Sequence, residues 1–428
     1  MDKSRFKRLF FVYSRRWRRR AIFVLGGLAV GGAAVALAVA SDWAQLEFRL
    51  FLGTWRYGGL LATPAGFALT IYLTNRFFPN SGGSGIPQAI AARALKDPAE
   101  RNKLVSLRIA VGKVLLTLMG LFVGASTGRE GPTVQVGASL MYALGRFSQR
   151  HQPGLILAGS AAGVAAAFNT PLAGIVFGIE EMSRSFEVRA SGLIIGTIIA
   201  AGLTSLAFLG NYTYFGSSAA VLPIGAGWVA VLACGVVGGL LGGLFSRVLI
   251  LFAFGLPGRV GRWVAAHPVI FAAACGLAVA LCGLLSGGAV YGTGYAQAKA
   301  LLHDTQALSI FYAPLKFIAT VLSSISGIPG GIFSPSLSVG AGIGADMARF
   351  FPETPIGALV LLGMVSYFSG VVQAPITAFV IVSEMTDNHG LLVPLMLAAL
   401  IAQGTSRLIC KEGVYHALAK KFIPPPSV

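Results

Sequence analysis

Stretches of about twenty apolar residues recur from one end of this chain to the other, and each is long enough to cross a hydrocarbon core as a helix. Ala21–Ala40 is the first, and further segments fall near 55–79, 104–125, 154–179, 188–209, 226–253, 268–286, 308–324, 356–383 and 391–409. Only 11% of the 428 residues are charged, whereas 55% are hydrophobic; an ordinary soluble domain carries roughly 25% charged residues. Most soluble enzymes are thereby excluded, and so is disorder, because a chain this apolar must bury itself. The fold class expected is an all-α polytopic membrane protein.

A basic region precedes Ala21–Ala40, and Ala38-Val39-Ala40 has the look of a cleavage site. The stretch is nevertheless longer than the roughly 7–15 residues of a signal-peptide core, so a retained first span is expected. The net charge of +18 is concentrated at the ends. Residues 1–20 hold nine basic side chains and Asp2, and residues 407–428 hold Arg407, Lys411, Lys420 and Lys421 against Glu412. Beside membrane spans, such runs mark the cytoplasmic side more readily than a nucleic-acid surface. Both termini are expected in the cytoplasm, with no nucleic-acid partner. Cys234, Cys275, Cys282 and Cys410 lack CxxC spacing and lie in or beside apolar runs. No disulfide framework, metal site or cofactor is expected.

Several apolar segments are interrupted by Gly or Pro, which frees backbone groups that lipid cannot satisfy. Three breaks share one pattern: Gly83-Ser84-Gly85-Ile86-Pro87, Gly128-Arg129-Glu130-Gly131-Pro132 and Gly330-Gly331-Ile332-Phe333-Ser334-Pro335. Pro is tolerated in the first turn of a helix, so each break predicts a half-helix start with free amides aimed into the protein. An anion is the natural ligand of such a place. Kinks or tight packing points would explain one such break; three together favour a site.

The halves also echo each other. Pro132-Thr133-Val134-Gln135-Val136-Gly137-Ala138 aligns with Pro335-Ser336-Leu337-Ser338-Val339-Gly340-Ala341 at an offset of 203. Pro171 through Glu180 echoes Pro375 through Glu384 at an offset of 204. An internal duplication follows, parallel or inverted, and broken helices at matching places in two halves point to a transporter's substrate site. Elsewhere, Gly235, Gly239 and Gly243 form GxxxG steps suited to close helix approach.

The ordered set GSGIP at 83–87, GREGP at 128–132 and GIFSP at 331–335 resembles the CLC family of chloride channels and proton-coupled chloride antiporters. Phe168–Gly174, Glu180-Glu181-Met182 and Glu384–Asn388 are similar to further family segments, and Tyr415 falls where the family supplies its last anion ligand. The resemblance spans roughly residues 55–420. It implies an inverted repeat of about eighteen tilted, often partial helices, assembled in the lipid bilayer as a homodimer with one anion pathway per subunit. The corresponding domains are a basic cytoplasmic segment 1–20, repeats 21–210 and 211–410, and a C-terminal helix and tail 411–428. A bacterial inner (plasma) membrane location is implied too.

By resemblance, the Ser84 and Tyr415 hydroxyls bind a central chloride together with the backbone N–H groups of Ile332 and Phe333. Hydroxyl and amide dipoles attract an anion without trapping it as a full counter-charge would. Glu130 corresponds to the gating glutamate and external proton carrier, whose carboxylate competes with chloride for the same amides. The bland reading is a helix-start glutamate complementing the dipole. Arg129 and Gly131 would contribute backbone to an external anion site, although the Arg129 charge could instead tune the pore entrance. Glu181 resembles the family's internal proton glutamate, an expensive residue at the end of an apolar run. Its bland reading is an interface pair in which Glu180 bonds Arg184 one turn on.

The chain stops at Val428, so the cytoplasmic nucleotide-binding tail of many eukaryotic relatives is not expected. Ser84 stands where nitrate-preferring plant relatives have Pro, and the fluoride branch usually lacks both Ser and the tyrosine ligand, so chloride is the substrate expected. Gln88 follows Pro87 where several relatives carry an acid. The function expected is chloride–proton antiport, not an enzyme activity. A passive chloride channel of the same fold is the alternative, and Glu181 argues against it. An intramembrane serine hydrolase is a remote third reading, because Gly82-Gly83-Ser84-Gly85 also reads GxSG. It needs a base within reach of Ser84, and His151, His267, His303, His389 and His416 are scattered singly.

Overall fold

A computed structural model describes residues 3–145, 151–183, 192–210, 212–222, 225–305 and 308–423; the side chains of 3–16, 18, 19 and 226 lie outside that description. Among the described residues the protein is helical, and β-pairing is limited to two isolated bridges. The first half comprises α1 (Lys3–Thr54), α2 (Gly59–Phe77), α3 (Ile86–Ala94), α4 (Pro98–Leu104), α5 (Leu107–Phe122), α6 (Glu130–Leu144), α7 (Gln152–Phe168), α8 (Pro171–Phe177) with a π-helical turn (Gly178–Ser183), and α9 (Gly192–Leu209). The second comprises α10 (Ala226–Phe254), α11 (Gly258–Ala266), α12 (Pro268–Leu285), α13 (Tyr295–Leu302), α14 (Tyr312–Ile325), α15 (Phe333–Met347), α16 (Ile356–Val372), α17 (Pro375–Thr386) and α18 (Leu392–Ile409), followed by α19 (Val414–Ala419).

The first helix has 52 residues, which at 1.5 Å per residue is about 78 Å, well over twice a hydrocarbon core. It runs straight through the expected 20/21 boundary, whereas positions 210 and 410 fall one residue beyond α9 and α18. Apart from Arg20, the basic side chains of residues 1–20 lie outside the described residues. Phe23, Val30, Ala34 and Leu37 are buried, so the Ala21–Ala40 stretch packs as part of the body of the protein. Among the described residues, six helices are long and apolar enough to cross a membrane.

Both halves pack on themselves in the same way: α6 lies on α7 and α15 on α16, while α1 lies on α9 and α10 on α18. α7 and α16 are apolar all round because nearly all of each is enclosed by protein. Glycine allows this closeness. A Cβ on Gly340 would sit 2.5 Å from the Gly363 carbonyl oxygen, and one on Gly137 would overlap the carbonyl of Gly159. The GxxxG steps of α10 meet α18, where a Cβ on Gly243 would lie 2.8 Å from the Ser406 carbonyl oxygen.

The apolar segments read as continuous at 154–179 and 356–383 are each cut in two. Asn169 (φ 57°) and Gln373 (φ 56°) take the left-handed conformation two residues before Pro171 and Pro375. Each turn ends one helix and starts another. The duplication reappears as a dyad: Gly128 and its counterpart Gly331 pair antiparallel, each N–H donating to the other's carbonyl at 2.7 Å. Reciprocal bonds between equivalent residues are what a two-fold relation between the repeats requires. The fold is thus an inverted repeat, the arrangement that the family resemblance implied and the matching strings alone left open.

Candidate anion and proton site

The three glycine-rich breaks converge. Gly83 N–H donates to the Ile328 carbonyl at 3.2 Å, and Gly330 N–H donates back to the Gly83 carbonyl at 3.0 Å. The loop carrying Ser84 is therefore stitched to the chain entering α15, which the Gly128–Gly331 pair joins to the chain entering α6. Gly85 adopts φ +98° at the start of α3, a conformation natural to glycine. Gly131 is tied to the site by space: a Cβ there would overlap the Ser84 hydroxyl oxygen and lie 3.1 Å from the Gly331 Cα.

Three helix starts, at Ile86, Glu130 and Phe333, lack a side-chain cap. Their first-turn amides keep hydrogen-bonding capacity and the positive end of the helix dipole. The Ser84 and Tyr415 hydroxyls are buried without a hydrogen-bond partner. They lie close enough to interact electrostatically, although not in hydrogen-bonding geometry. An unpaired buried hydroxyl costs about 1–3 kcal/mol, so two at one point mark a place built for a polar ligand. Ile332 and Phe333 are buried beside it. The Phe333 ring packs 5.8 Å from Tyr415, 4.8 Å from Phe368 and 6.1 Å from Phe168, an apolar collar that keeps the surroundings dry.

Glu130, fully buried, turns its carboxylate toward the start of α15, where Ser334 Oγ donates to Oε1 at 2.5 Å. Oε2 is buried without a partner, against Gly128. A carboxylate thus lies between the two uncapped helix starts. The Arg129 side chain leaves this centre: Nη1 donates at 2.7 Å to both the Ala38 carbonyl and Asp42 Oδ1 of α1.

Glu181 lies on the π-helical turn, its side chain 4% exposed and 3.5 Å from His416 Nε2. Tyr415 is within electrostatic reach of both Glu181 and Glu130. Glu180 points elsewhere, into the start of α17, where it accepts from Ile376 N (3.1 Å), Thr377 N (2.6 Å) and Thr377 Oγ1 (2.7 Å). The Arg184 partner considered for it lies outside the described residues. Its counterpart Glu384 reaches back into the start of α8, accepting from Leu172 N (3.1 Å) and Ala173 N (2.8 Å). Ser84 has no hydrogen-bonded base among the described residues, so the arrangement a serine hydrolase needs is not met there.

Several residues escaped the sequence reading. Ser334 was visible inside its break, next to Phe333. Lys113 and Lys316, 203 positions apart, are charges set within apolar runs, a usual mark of importance. Both are buried: Lys113 Nζ donates to the Gly83 carbonyl at 2.8 Å, and Lys316 Nζ to the Gly292 carbonyl at 2.8 Å. Gly292 belongs to a further unnoticed repeat, since Gly83-Ser84-Gly85 with Gln88-Ala89 aligns with Gly292-Thr293-Gly294 with Gln297-Ala298. Gln88 itself braces its loop, donating to the Gly82 carbonyl at 2.7 Å.

Uncapped half-helix starts from two dyad-related repeats, meeting unpaired hydroxyls and a buried carboxylate, define a membrane protein that conducts or carries small anions. The family described as "Voltage gated chloride channel" matches residues 66–407, and the chain belongs to it. The H(+)/Cl(-) exchange transporter ClcA of Yersinia pseudotuberculosis serotype IB (strain PB1/+) is 31% identical over 429 residues, covering 93% of this chain and 86% of that protein. The protein of that name from Cronobacter sakazakii (strain ATCC BAA-894) is 31% identical over 438 residues, covering 93% and 88%. Among solved structures, a slow cyanobacterial Cl-/H+ antiporter superposes with a TM-score of 0.80 at 24% identity, over 94% of this chain and 97% of that one. A CLC-type fluoride/proton antiporter superposes equally well, TM-score 0.80 at 22% identity, over 95% and 98%. The chain is a multi-pass membrane protein of this fold.

Proposed function

We propose that the protein exchanges chloride for protons, one pathway per subunit. The observation that carries this is the Glu130 carboxylate, seated between the uncapped starts of α6 and α15 with one oxygen unpaired. As an anion it occupies the place beside those helix starts that chloride would take; protonated, it loses the charge that holds it there and gives up the place. Each cycle of that competition ties one site to both ions. Chloride is held centrally by the Ser84 and Tyr415 hydroxyls and the Ile332 and Phe333 amides, and externally by backbone of Arg129 and Gly131. The Arg129 side chain, anchored to Asp42, adds a positive charge nearby. Glu181, which like Glu130 lies within electrostatic reach of Tyr415, is the internal proton carrier. The relatives named as H(+)/Cl(-) exchange transporters support this reading.

The proposal includes an inner (plasma) membrane location, cytoplasmic termini and a homodimer. Exposed apolar faces on α9 and α18, such as Leu203 at 57% and Val393 at 63%, offer surfaces that lipid or a second subunit covers.

The test is proton movement in liposomes holding the purified protein under a chloride gradient. Uphill proton flux is expected, reduced at least about a hundredfold by Glu130→Gln and by Glu181→Gln. Chloride flux without proton movement in the unsubstituted protein would overturn the antiporter in favour of a passive channel.

A further inference from the structure

Glu181 is 4% exposed, so a proton bound for it must pass through whatever lies between it and water. His416 lies there. It follows Tyr415 on α19, but whereas Tyr415 is fully buried, the His416 side chain keeps 16% of its surface exposed. Its Nε2 is 2.7 Å from the Glu181 carbonyl oxygen and 3.5 Å from Glu181 Oε1. A carbonyl can only accept, so Nε2 carries a hydrogen in this contact, and in the neutral ring Nδ1 is then the basic nitrogen. One imidazole N–H therefore faces the Glu181 backbone carbonyl and, at longer range, one oxygen of the carboxylate that must be loaded. We propose that His416 is the group through which Glu181 exchanges protons with the aqueous phase on the α19 side. The inference rests on the antiporter reading above and names the next carrier along its proton path.

The step balances without another reagent. A hydronium ion gives its proton to Nδ1, forming an N–H bond and leaving water. The Nε2–H bond then breaks as its proton passes to Glu181 Oε1, forming a carboxylic acid and leaving a neutral ring protonated at Nδ1. The ring returns to its starting tautomer when Nε2 takes a proton from a second hydronium ion and Nδ1 gives its own to water, with no net change in charge; release runs in reverse. The surroundings suit a transient cation. Arg93 of α3 donates to the Met182 carbonyl at 2.8 Å, in the same π-helical turn, and Lys420 and Lys421 follow α19. Glu412 pairs with Lys420 at 2.6 Å. Of the other elements against α19, α10 carries Arg247 and α16 carries Tyr367. Neighbouring positive charge disfavours a permanent imidazolium, while Glu181 favours a brief one, and an imidazole ordinarily titrates near neutrality.

The π-helical turn gives adjacent acids different tasks: Glu180 is held by the start of α17, and Glu181 faces α19. π-turns inside helices often sit at functional places.

The experiment uses the full chain in liposomes, with pH set on each side in turn. His416→Gln keeps a side-chain N–H but cannot ionise. It should lower chloride-driven proton flux about tenfold relative to chloride flux, and flatten the dependence on α19-side pH between about 5.5 and 7.5. His416→Ala should behave alike, and imidazole buffer in the α19-side compartment should restore proton flux. An unchanged proton-to-chloride ratio and pH profile in His416→Gln would overturn the proposal. So would an equal loss of both fluxes in both variants with no imidazole rescue, which would make the contact structural. If the unsubstituted protein moves chloride without protons, the antiporter reading falls first.

Discussion

The Ser84 loop and its counterpart at Gly292–Gly294 are the same device built twice and finished differently. Each backbone is held by a buried lysine, Lys113 at Gly83 and Lys316 at Gly292. At the second loop, Gln45 of α1 supplies Oε1 to Thr293 N at 2.9 Å and to Thr293 Oγ1 at 3.2 Å. At the first, the Ser84 hydroxyl is left without a partner. A neutral oxygen satisfies one copy, while the other is left open to the chloride proposed there.

The same division runs through both repeats. Features that hold backbone come in pairs: Gly128 with Gly331, Gly137 with Gly340, Glu180 with Glu384, Asn169 with Gln373. The residues proposed to handle chloride and protons come singly. The counterpart of Glu130 is Phe333, that of Gly131 is Ser334, and that of Glu181 is Met385. Duplication supplies a scaffold with no preferred direction; in the proposed mechanism the unmatched acids give it one.

This division can be tested residue by residue. Gly137→Val and Gly340→Val should each destabilise the detergent-solubilised protein by about 3 kcal/mol, because the added carbons meet backbone that cannot yield. A melting-temperature loss in only one of the two would break the comparison. Glu384→Gln should cost about 2 kcal/mol by weakening charge-assisted bonds to two amides, and Glu180→Gln about 1 kcal/mol more. The inequality is expected, since Glu180 also accepts from the Thr377 hydroxyl and the counterpart position is Ala173. Thr377→Ala should therefore cost only about 1 kcal/mol and bring the two glutamates level.

Much of this was legible in sequence because the backbone forces it. A glycine-rich break before a proline announces a half-helix start, and two strings at offsets of 203 and 204 announce a repeat. The third string, at 83 and 292, stands at an offset of 209 and was missed because connecting loops differ in length between the halves. The breaks at Asn169 and Gln373 were hidden by uniformly apolar flanks, although Pro171 and Pro375 gave the signal. Contacts across the dyad were out of reach. Glu180 and the Thr377 amide are 197 residues apart, and an adjacent arginine looked the more natural partner. His416 read as a scattered histidine, since nothing in a sequence says which carbonyl a ring will face.

The reciprocal glutamates also impose an order in time. The amides of Leu172 and Ala173 are satisfied by Glu384, 212 residues after the first of them. At ribosomal speeds that interval is about 10–40 s. During it the first half can be threaded into a bilayer but not completed, because two donors near the start of α8 await an acceptor not yet synthesised. A nascent chain released after α9 would carry those unmet amides for good, the sort of defect by which quality-control proteases recognise an orphaned half.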